Sequence, residues 1–417
     1  MSNYDIAQLV SLLDSSPTSR HVVNNAKSIL DREGFIEWDG ICDPRPEHVL
    51  HGYLARSGTI IAWSNLNEAA RQPLRLVGAH TDSPGLTLKP GRSGSSAGLG
   101  ILNVEIYGGP LLNSWLDRDL SLAGVVQTSS GETVLFESDH PIARISQLAI
   151  HLDREVNDKG LVLDRQVHLR PSWTTESTGD VRELVANLAK VKSSSIVSWD
   201  CRFADTQGAQ LVGHDKSMLT SGRLDNQLSC WAAVYALLHA SGPSVIALFD
   251  HEEIGSQSST GAESTFLSNV LERLSLGAGL SRQEYLRSVA NGHCVSSDNA
   301  HAVHPNYPER HDLDNAPLFN RGIAVKWNSN QRYATTPVSL SPISAAALAS
   351  NQTLQHFSSK NTMPCGTTIG PITASMLGMD TVDIGVPQLS MHSAREVCGA
   401  DDALRLERLL AAYFARA

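Results

Sequence analysis

Val245-Ile246-Ala247-Leu248-Phe249-Asp250-His251-Glu252-Glu253 is the stretch on which the reading of the fold turns. Its apolar half has the texture of a strand covered on both faces in a parallel sheet. Its second half switches abruptly to side chains that bind metals or move protons. In open α/β sheets, ligands lie in the crevice beyond the carboxyl ends of the strands, so such a switch marks where a site belongs. Just upstream, Leu228, Trp231, Ala232, Tyr235 and Leu238 line one helical face, and His239-Ala240-Ser241-Gly242-Pro243 reads as a turn. Residues 226–249 contain no Asp, Glu, Lys or Arg. The turn nevertheless divides them into a helix and a strand, short of the roughly 20 continuous apolar residues of a membrane span.

The same switch recurs along the chain. Leu74-Arg75-Leu76-Val77-Gly78-Ala79 reads as a strand ending at His80-Thr81-Asp82, Val295 leads into Ser296-Ser297-Asp298, and Leu389 into Ser390-Met391-His392. Arg223-Leu224-Asp225-Asn226 stands just before the helix expected to begin near Gln227. A pair of divalent ions about 3.5–4 Å apart needs one shared carboxylate and, for each ion, an imidazole and a further carboxylate. His80 and Asp298 meet that need on one ion and Glu253 and His392 on the other, with Asp225 bridging. Mixed nitrogen and oxygen ligation favours zinc, with manganese or cobalt as alternatives. Glu252 is left beside Glu253 and faces the other way, as general base toward water, a role worth about 10²–10⁴ in rate. Asp82 is expected to accept the second N–H of the His80 ring and fix its tautomer.

Away from these segments, Ile6, Leu9, Val10 and Leu13 recur at helical spacing, and a second amphipathic stretch covers residues 22–30. Residues 91–100 are rich in Gly and Ser, the composition of a loop or linker. From about residue 101 to 221, short β-type runs follow one another at 102–107, 120–127, 133–136 and 161–169, which predicts a β-rich unit inserted into an α/β one. The 417 residues are 41% hydrophobic and 18% charged, which excludes wholesale disorder, and the formal charge of −10 argues against a nucleic-acid binder. Six cysteines without a CxxC pair read as reduced, buried thiols in a reducing compartment. The first residues lack the basic and apolar runs of a secretory signal, so a soluble cytoplasmic protein is expected.

With these residues in hand, the sequence resembles the M18 metallopeptidases, the aspartyl aminopeptidases, over nearly its whole length. The resemblance is carried by Ser16-Pro17-Thr18, Gly78-Ala79-His80-Thr81-Asp82-Ser83-Pro84-Gly85, Trp115-Leu116-Asp117-Arg118, Ala149-Ile150-His151-Leu152 and Arg223-Leu224-Asp225-Asn226. It continues in Phe249-Asp250-His251-Glu252-Glu253-Ile254-Gly255-Ser256, Ala300-His301-Ala302-Val303-His304-Pro305-Asn306-Tyr307, Gln331-Arg332-Tyr333-Ala334-Thr335, Gly366-Thr367-Thr368-Ile369-Gly370-Pro371 and Ser390-Met391-His392-Ser393. It implies an α/β fold, with a zinc-peptidase-like catalytic domain around a central, mostly parallel sheet (1–90 and 222–417), interrupted by a β-rich dimerisation domain (91–221). It also implies removal of N-terminal Asp or Glu from peptides by a metal-activated water. Its metal positions fall on His80, Asp225, Glu253, Asp298 and His392, its base on Glu252, and its substrate contacts on His151, His301, Lys326 and Tyr333. Two divalent ions per subunit and a homo-oligomer, a tetrahedral dodecamer built from dimers in which His151 reaches a neighbouring active site, follow from the same resemblance. Two departures stand out: Asn299 after Asp298, and Arg321-Gly322 ahead of Lys326.

Three other readings compete. Gly94-Ser95-Ser96-Ala97-Gly98 matches the G-x-S-x-G of serine hydrolases, but that motif works only on a turn from strand to helix. A deacylase could use the same ligands on acylated amino acids. A non-catalytic scaffold would be expected to lack a ligand or the base, whereas all six residues stand in this chain. Asn351-Gln352-Thr353 matches a glycosylation acceptor, expected to go unused in the absence of a secretory signal.

Overall fold

The computed structural model describes residues 5–69, 71–91, 93–176 and 179–415. Its central sheet contains, in chain order, β1 Ile36–Glu37, β2 His51–Arg56, β3 Thr59–Ser64, β4 Arg75–His80, β5 Ser244–Phe249, β6 His293–Ser297, β7 Ile323–Trp327, β8 Leu354–Ser358 and β9 Asp380–Gly385. Across the sheet the order is β1-β2-β3-β5-β4-β6-β9-β7-β8. The middle four, β5-β4-β6-β9, are mutually parallel, while β3 and β7 join them antiparallel.

Purely apolar strands are tolerated here because both faces are covered. Val77, Ala79, Ile246, Leu248 and Val295 point into one core with helices Ile6–Asp14, Ser19–Arg32, Leu224–Leu237 and Ala400–Phe414. Their strand neighbours Leu76, Val245, Ala247, Phe249 and Cys294 point into a second core with helices Phe266–Gly277 and Arg282–Ala290. This alternation makes three layers, helices on either side of the sheet. Helix Leu224–Leu237 is buried nearly all round rather than on one face, and its helical conformation sets in only after Asp225 and Asn226, as the Gln227 start anticipated.

A second, largely antiparallel sheet holds the β-rich unit around its own core of Leu86, Leu122, Val126, Phe136, Val185 and Phe203. Its long strands Asp119–Thr128 and Ile196–Asp205 pair with each other, and Thr133–Glu137 adds to the first. Gly85–Leu88 pairs within this second sheet, whereas Gln210–Val212 and Met218–Ser221 join a third sheet with Pro387–Leu389 and Glu396–Gly399.

Two local readings are corrected. Residues 161–169 form no strand: Leu161, Val162 and Val167 are 40%, 85% and 51% exposed, and among the described residues no strand pairs with their backbone. In the Gly/Ser-rich stretch, Gly94–Ser96 and Leu99–Ile101 form a hairpin, closed at Ala97 and Gly98 with φ of +50° and +83°. Positive φ at both central residues matches the twist of hairpin strands, and G-x-S-x-G therefore sits on a strand–strand turn, not a nucleophile elbow. Arg92 of that stretch lies outside the described residues. All six cysteines are free, with Cys42 exposed and Cys365 half-buried against the expectation of burial. Among the described residues, no helix is long and apolar enough to cross a membrane.

Candidate metal centre

The carboxyl ends of the parallel strands deliver the side chains. His80 is the last residue of β4 and is paired with Phe249, so the segment after β5 emerges beside it. Asp298 follows β6, and the chain leaving β9 runs through Pro387–Leu389 to His392. Asp225 comes from the non-helical start of Leu224–Leu237. Left-handed backbone at Arg223 (φ +60°), His251 (+70°) and His392 (+68°) turns the chain at or next to ligand positions. Non-glycine residues rarely adopt it, and such conformations gather at functional sites.

These five side chains meet. His80 Nε2 lies 3.3 Å from Asp225 Oδ1 and 3.6 Å from Asp298 Oδ1. His392 Nε2 lies 3.7 Å from Asp225 Oδ2 and 3.4 Å from Glu253 Oε2. The two oxygens of Asp225 therefore face different imidazoles, each with its own second carboxylate. Ligand atoms of His80, Asp225 and Glu253 lie within 4.8 Å of one another.

The surroundings suit cations. His80 Nδ1 donates to the Asp82 carbonyl at 3.0 Å, and His392 Nδ1 to the Gly109 carbonyl at 3.1 Å. With Nδ1 of each ring committed to a carbonyl, Nε2 faces carboxylate oxygens, the position in which a divalent ion would be held between imidazole and carboxylate. Asp225 Oδ1 is buried without a hydrogen-bond partner. Burial opposes a charge on His80, but the carboxylates of Asp225, Asp298 and Asp82 outweigh it and raise the ring well above its usual pKa. Burial and then the nearby Asp298 push Asp225 up, and burial and then Asp225 push Glu253 up. The crowding of carboxylates is relieved by positive charge, and the donor set fits two ions of the zinc type.

Glu252 and Glu253 sit on a single tight turn, Glu252–Ile254. Their amides donate to Asp82 Oδ1 and Oδ2 at 3.1 and 3.2 Å, and the Tyr107 hydroxyl donates to Asp82 Oδ2 at 2.7 Å. The His80 ring therefore bonds the Asp82 main chain, its side chain lying 3.5 Å off, and the Asp82 carboxylate holds the acidic turn. Burial first, with Asp298, Asp82 and Asp225 adding to it against the pull of His80, raises Glu252 to about 8.

Lys326, from β7, is 2% exposed and puts Nζ 3.2 Å from Asp298 Oδ2 and 5.3 Å from the Tyr333 ring centre. Burial pushes Asp298 up, but Lys326 and His80 together hold it well below the usual carboxylate range. The His301 and Tyr333 rings both pack edge-on to Phe357, with centroids 6.0 and 6.1 Å away. His301 keeps an exposed face, but desolvation by the protein atoms around it and then the charge of Lys326 lower it to about 4, so the ring is neutral at pH 7. His151 is the exception: it is exposed in a turn of the β-rich unit and makes no hydrogen bond or ion pair with the five ligand-type residues.

Sequence reading missed the carboxylates that hold the others. Glu396, fully buried, accepts from the Asp225 amide at 2.9 Å and the His392 amide at 2.7 Å. Asp383 accepts from the Ala334 amide and the Thr368 hydroxyl, both at 2.6 Å, tying the loop of Tyr333 to the start of helix Ile369–Leu377. Asp383, an acid in the apolar run of β9, was a visible signal; Glu396 had none. Asn299, the departure beside Asp298, is buried and donates to the carbonyl of Leu224, the residue before Asp225, and to Gln388 Oε1.

A profile of the aminopeptidase I zinc metalloprotease family, M18, matches residues 12–414. A probable M18 family aminopeptidase 2 of Streptomyces coelicolor is 43% identical, covering 97% of this chain and 96% of its own length. Among solved structures, a chain of the Ape4 and Nbr1 complex superposes with a TM-score of 0.91 at 33% identity, covering 98% of this chain and 85% of its own. The mApe1 dodecamer of S. cerevesiae gives 0.85 at 27%, covering 98% and 96%.

Proposed function

The chain belongs to the M18 family of zinc metallo-aminopeptidases, and on that premise we propose that it removes N-terminal Asp or Glu from peptides with two divalent cations, zinc foremost. His80 and Asp298 would hold one ion and Glu253 and His392 the other, with Asp225 between them. What carries this reading is that each oxygen of the one Asp225 carboxylate faces a different imidazole. Bound there, the ions would supply Lewis acidity and bring the pKa of water toward about 7.

The chain's own groups do the rest. Glu252, raised by burial to about 8, exchanges a proton near neutral pH, taking one from the attacking water and returning it to the leaving amine. His301 is held neutral and offers a hydrogen bond to the oxyanion that develops on the scissile carbonyl. Lys326 Nζ spends one of its three donors on Asp298, leaving others for an acidic substrate side chain beside Tyr333. A charge-assisted contact of that kind is worth about 1.5–3 kcal/mol, enough to outweigh a distant surface charge of −10 that salt screens over about 8 Å. The free α-amine of the substrate pairs with the ligand carboxylates, which limits cleavage to the first residue.

Assembly belongs to the same reading. Leu148, Ile150, Leu152, Val162 and Val167 leave large apolar side chains in solvent along one stretch of the β-rich unit, the composition of a surface covered by another copy. A structural neighbour is a dodecamer, and we infer a homo-oligomer, a dodecamer built from dimers, in which the β-rich unit forms the dimer and His151 serves a neighbour's site. The expected setting is the cytoplasm, with neither nucleic acid nor membrane as partner.

The test is hydrolysis of Asp-, Glu- and Ala-terminal chromogenic substrates, with free and blocked α-amines, before and after chelation. Chelator-sensitive cleavage of the free acidic substrates is expected. Preference for Ala would overturn the specificity, and cleavage of the blocked forms would favour the deacylase.

A further inference from the structure

The two halves of the metal centre are supported differently. The His80–Asp298 half is held by the central sheet and its neighbours: the His80 ring bonds the Asp82 carbonyl, and Asp298 pairs with Lys326 on β7. The Glu253–His392 half leans on the β-rich unit. There Val104–Tyr107 is the last strand of the second sheet, and the residues following it run past the site. Gly109 O accepts from His392 Nδ1 at 3.1 Å and the Leu111 amide donates to His392 O at 2.9 Å, so this segment grips both the ring and the main chain of that ligand. Gly108, at φ +65°, passes so close that a Cβ would lie 3.2 Å from Glu253 Cβ and 3.3 Å from its carbonyl. Tyr107 reaches Asp82, which receives the amides of Glu252 and Glu253. Arg202, from Ile196–Asp205 in the same unit, stacks 3.6 Å over the Tyr107 ring centre and so fixes the hydroxyl's aim.

We propose that residues 107–111 are a positioning strap through which the β-rich unit sets the affinity of the Glu253–His392 cation site, with the Tyr107 hydroxyl, Gly108 and the Gly109 carbonyl as its working contacts. Tyr107 is a positioning residue: it touches neither ion nor substrate and acts through Asp82 on the turn that carries Glu253. Groups that orient metal ligands from outside typically change affinity 10- to 100-fold when removed. Gly108 and Gly109 touch only the Glu253–His392 half, so loss of their contacts falls on one ion of two, whereas Tyr107 acts through Asp82, whose carbonyl also holds the His80 ring. The proposal rests on the dinuclear reading above, and its test is chosen so that the two fail separately.

Metal-free full-length protein, Tyr107→Phe and Gly108→Ala are titrated with zinc alone against a chromophoric chelator, and their zinc-free melting temperatures are compared. Tyr107→Phe keeps the ring under Arg202, and Gly108→Ala perturbs the strap independently. The parent is expected to take up two ions. Gly108→Ala should bind one ion as the parent does and the other about 10- to 100-fold more weakly, and Tyr107→Phe should weaken that same site more than its neighbour, with cooperative zinc-free melting retained in both variants. Unchanged affinity at both sites, or equal weakening at both, overturns the strap. A parent that binds a single ion overturns the dinuclear reading and the strap with it.

Discussion

Glu252 and Glu253 are adjacent in sequence and lie on one tight turn, both of whose amides Asp82 holds. If Glu252 moves the proton and Glu253 holds an ion, Glu252→Gln should keep its metal content while kcat falls about 10²–10⁴-fold; loss of an ion with the activity would contradict that division. Lys326→Ala should lower kcat/KM for Asp-terminal peptides about 10- to 150-fold more than for Ala-terminal ones, and equal losses would remove it from the specificity site. At this scale the sequence was legible where chemistry announces itself, in His and acidic residues just past apolar runs. It was silent on Glu396, because a carboxylate that accepts an amide 171 positions away leaves no local pattern. Asp82 shows the intermediate case: its importance was visible, but its partners were decided by the turn after β5.

At the scale of elements, period and composition located β4, β5 and the helices Ile6–Asp14, Ser19–Arg32 and Leu224–Leu237, since strands buried on both faces are largely apolar, but not the helices Phe266–Gly277, Arg282–Ala290 and Ala400–Phe414. The same signals failed at residues 161–169, where Leu163 and Leu169 pack on the β-rich core while Leu161, Val162 and Val167 stay exposed and the backbone forms turns, and at the Gly/Ser stretch, where two positive-φ residues close a hairpin. Helix Ser19–Arg32 carries a pH-dependent cost. His21 is buried against Thr18, 2.8 Å away, and burial first, then Arg223, lowers it to about 4. Folded His21 stays neutral while the unfolded chain takes a proton near pH 6.5. Stability is therefore lost as pH falls from about 6.5 toward 4, by roughly 2–3 kcal/mol at most. Urea midpoints of metal-free protein should drop over that range, and His21→Asn should flatten the drop; parallel curves would mean that His21 does not contribute.

For the whole molecule, the parallel strands bring four segments to one edge of the sheet, and the β-rich unit closes over it with Tyr107 and Gly109. The general crevice was readable from the strand-end switches, but which chain segments cover it was not, because that depends on contacts between units. The exposed 148–167 stretch carries the prediction at this scale. Leu152→Asp with Val162→Asp should give smaller particles by analytical ultracentrifugation together with lower activity, and mixing His151→Ala with Glu252→Gln protomers before assembly should restore activity that neither has alone. Absence of complementation would confine His151 to its own subunit. The central claim is that two cations share Asp225, and native mass spectrometry of zinc-loaded protein tests it most directly. The parent should carry two ions per chain and Asp225→Ala should lose tight binding of both, whereas a parent with one ion, or a variant that keeps two, would contradict the account.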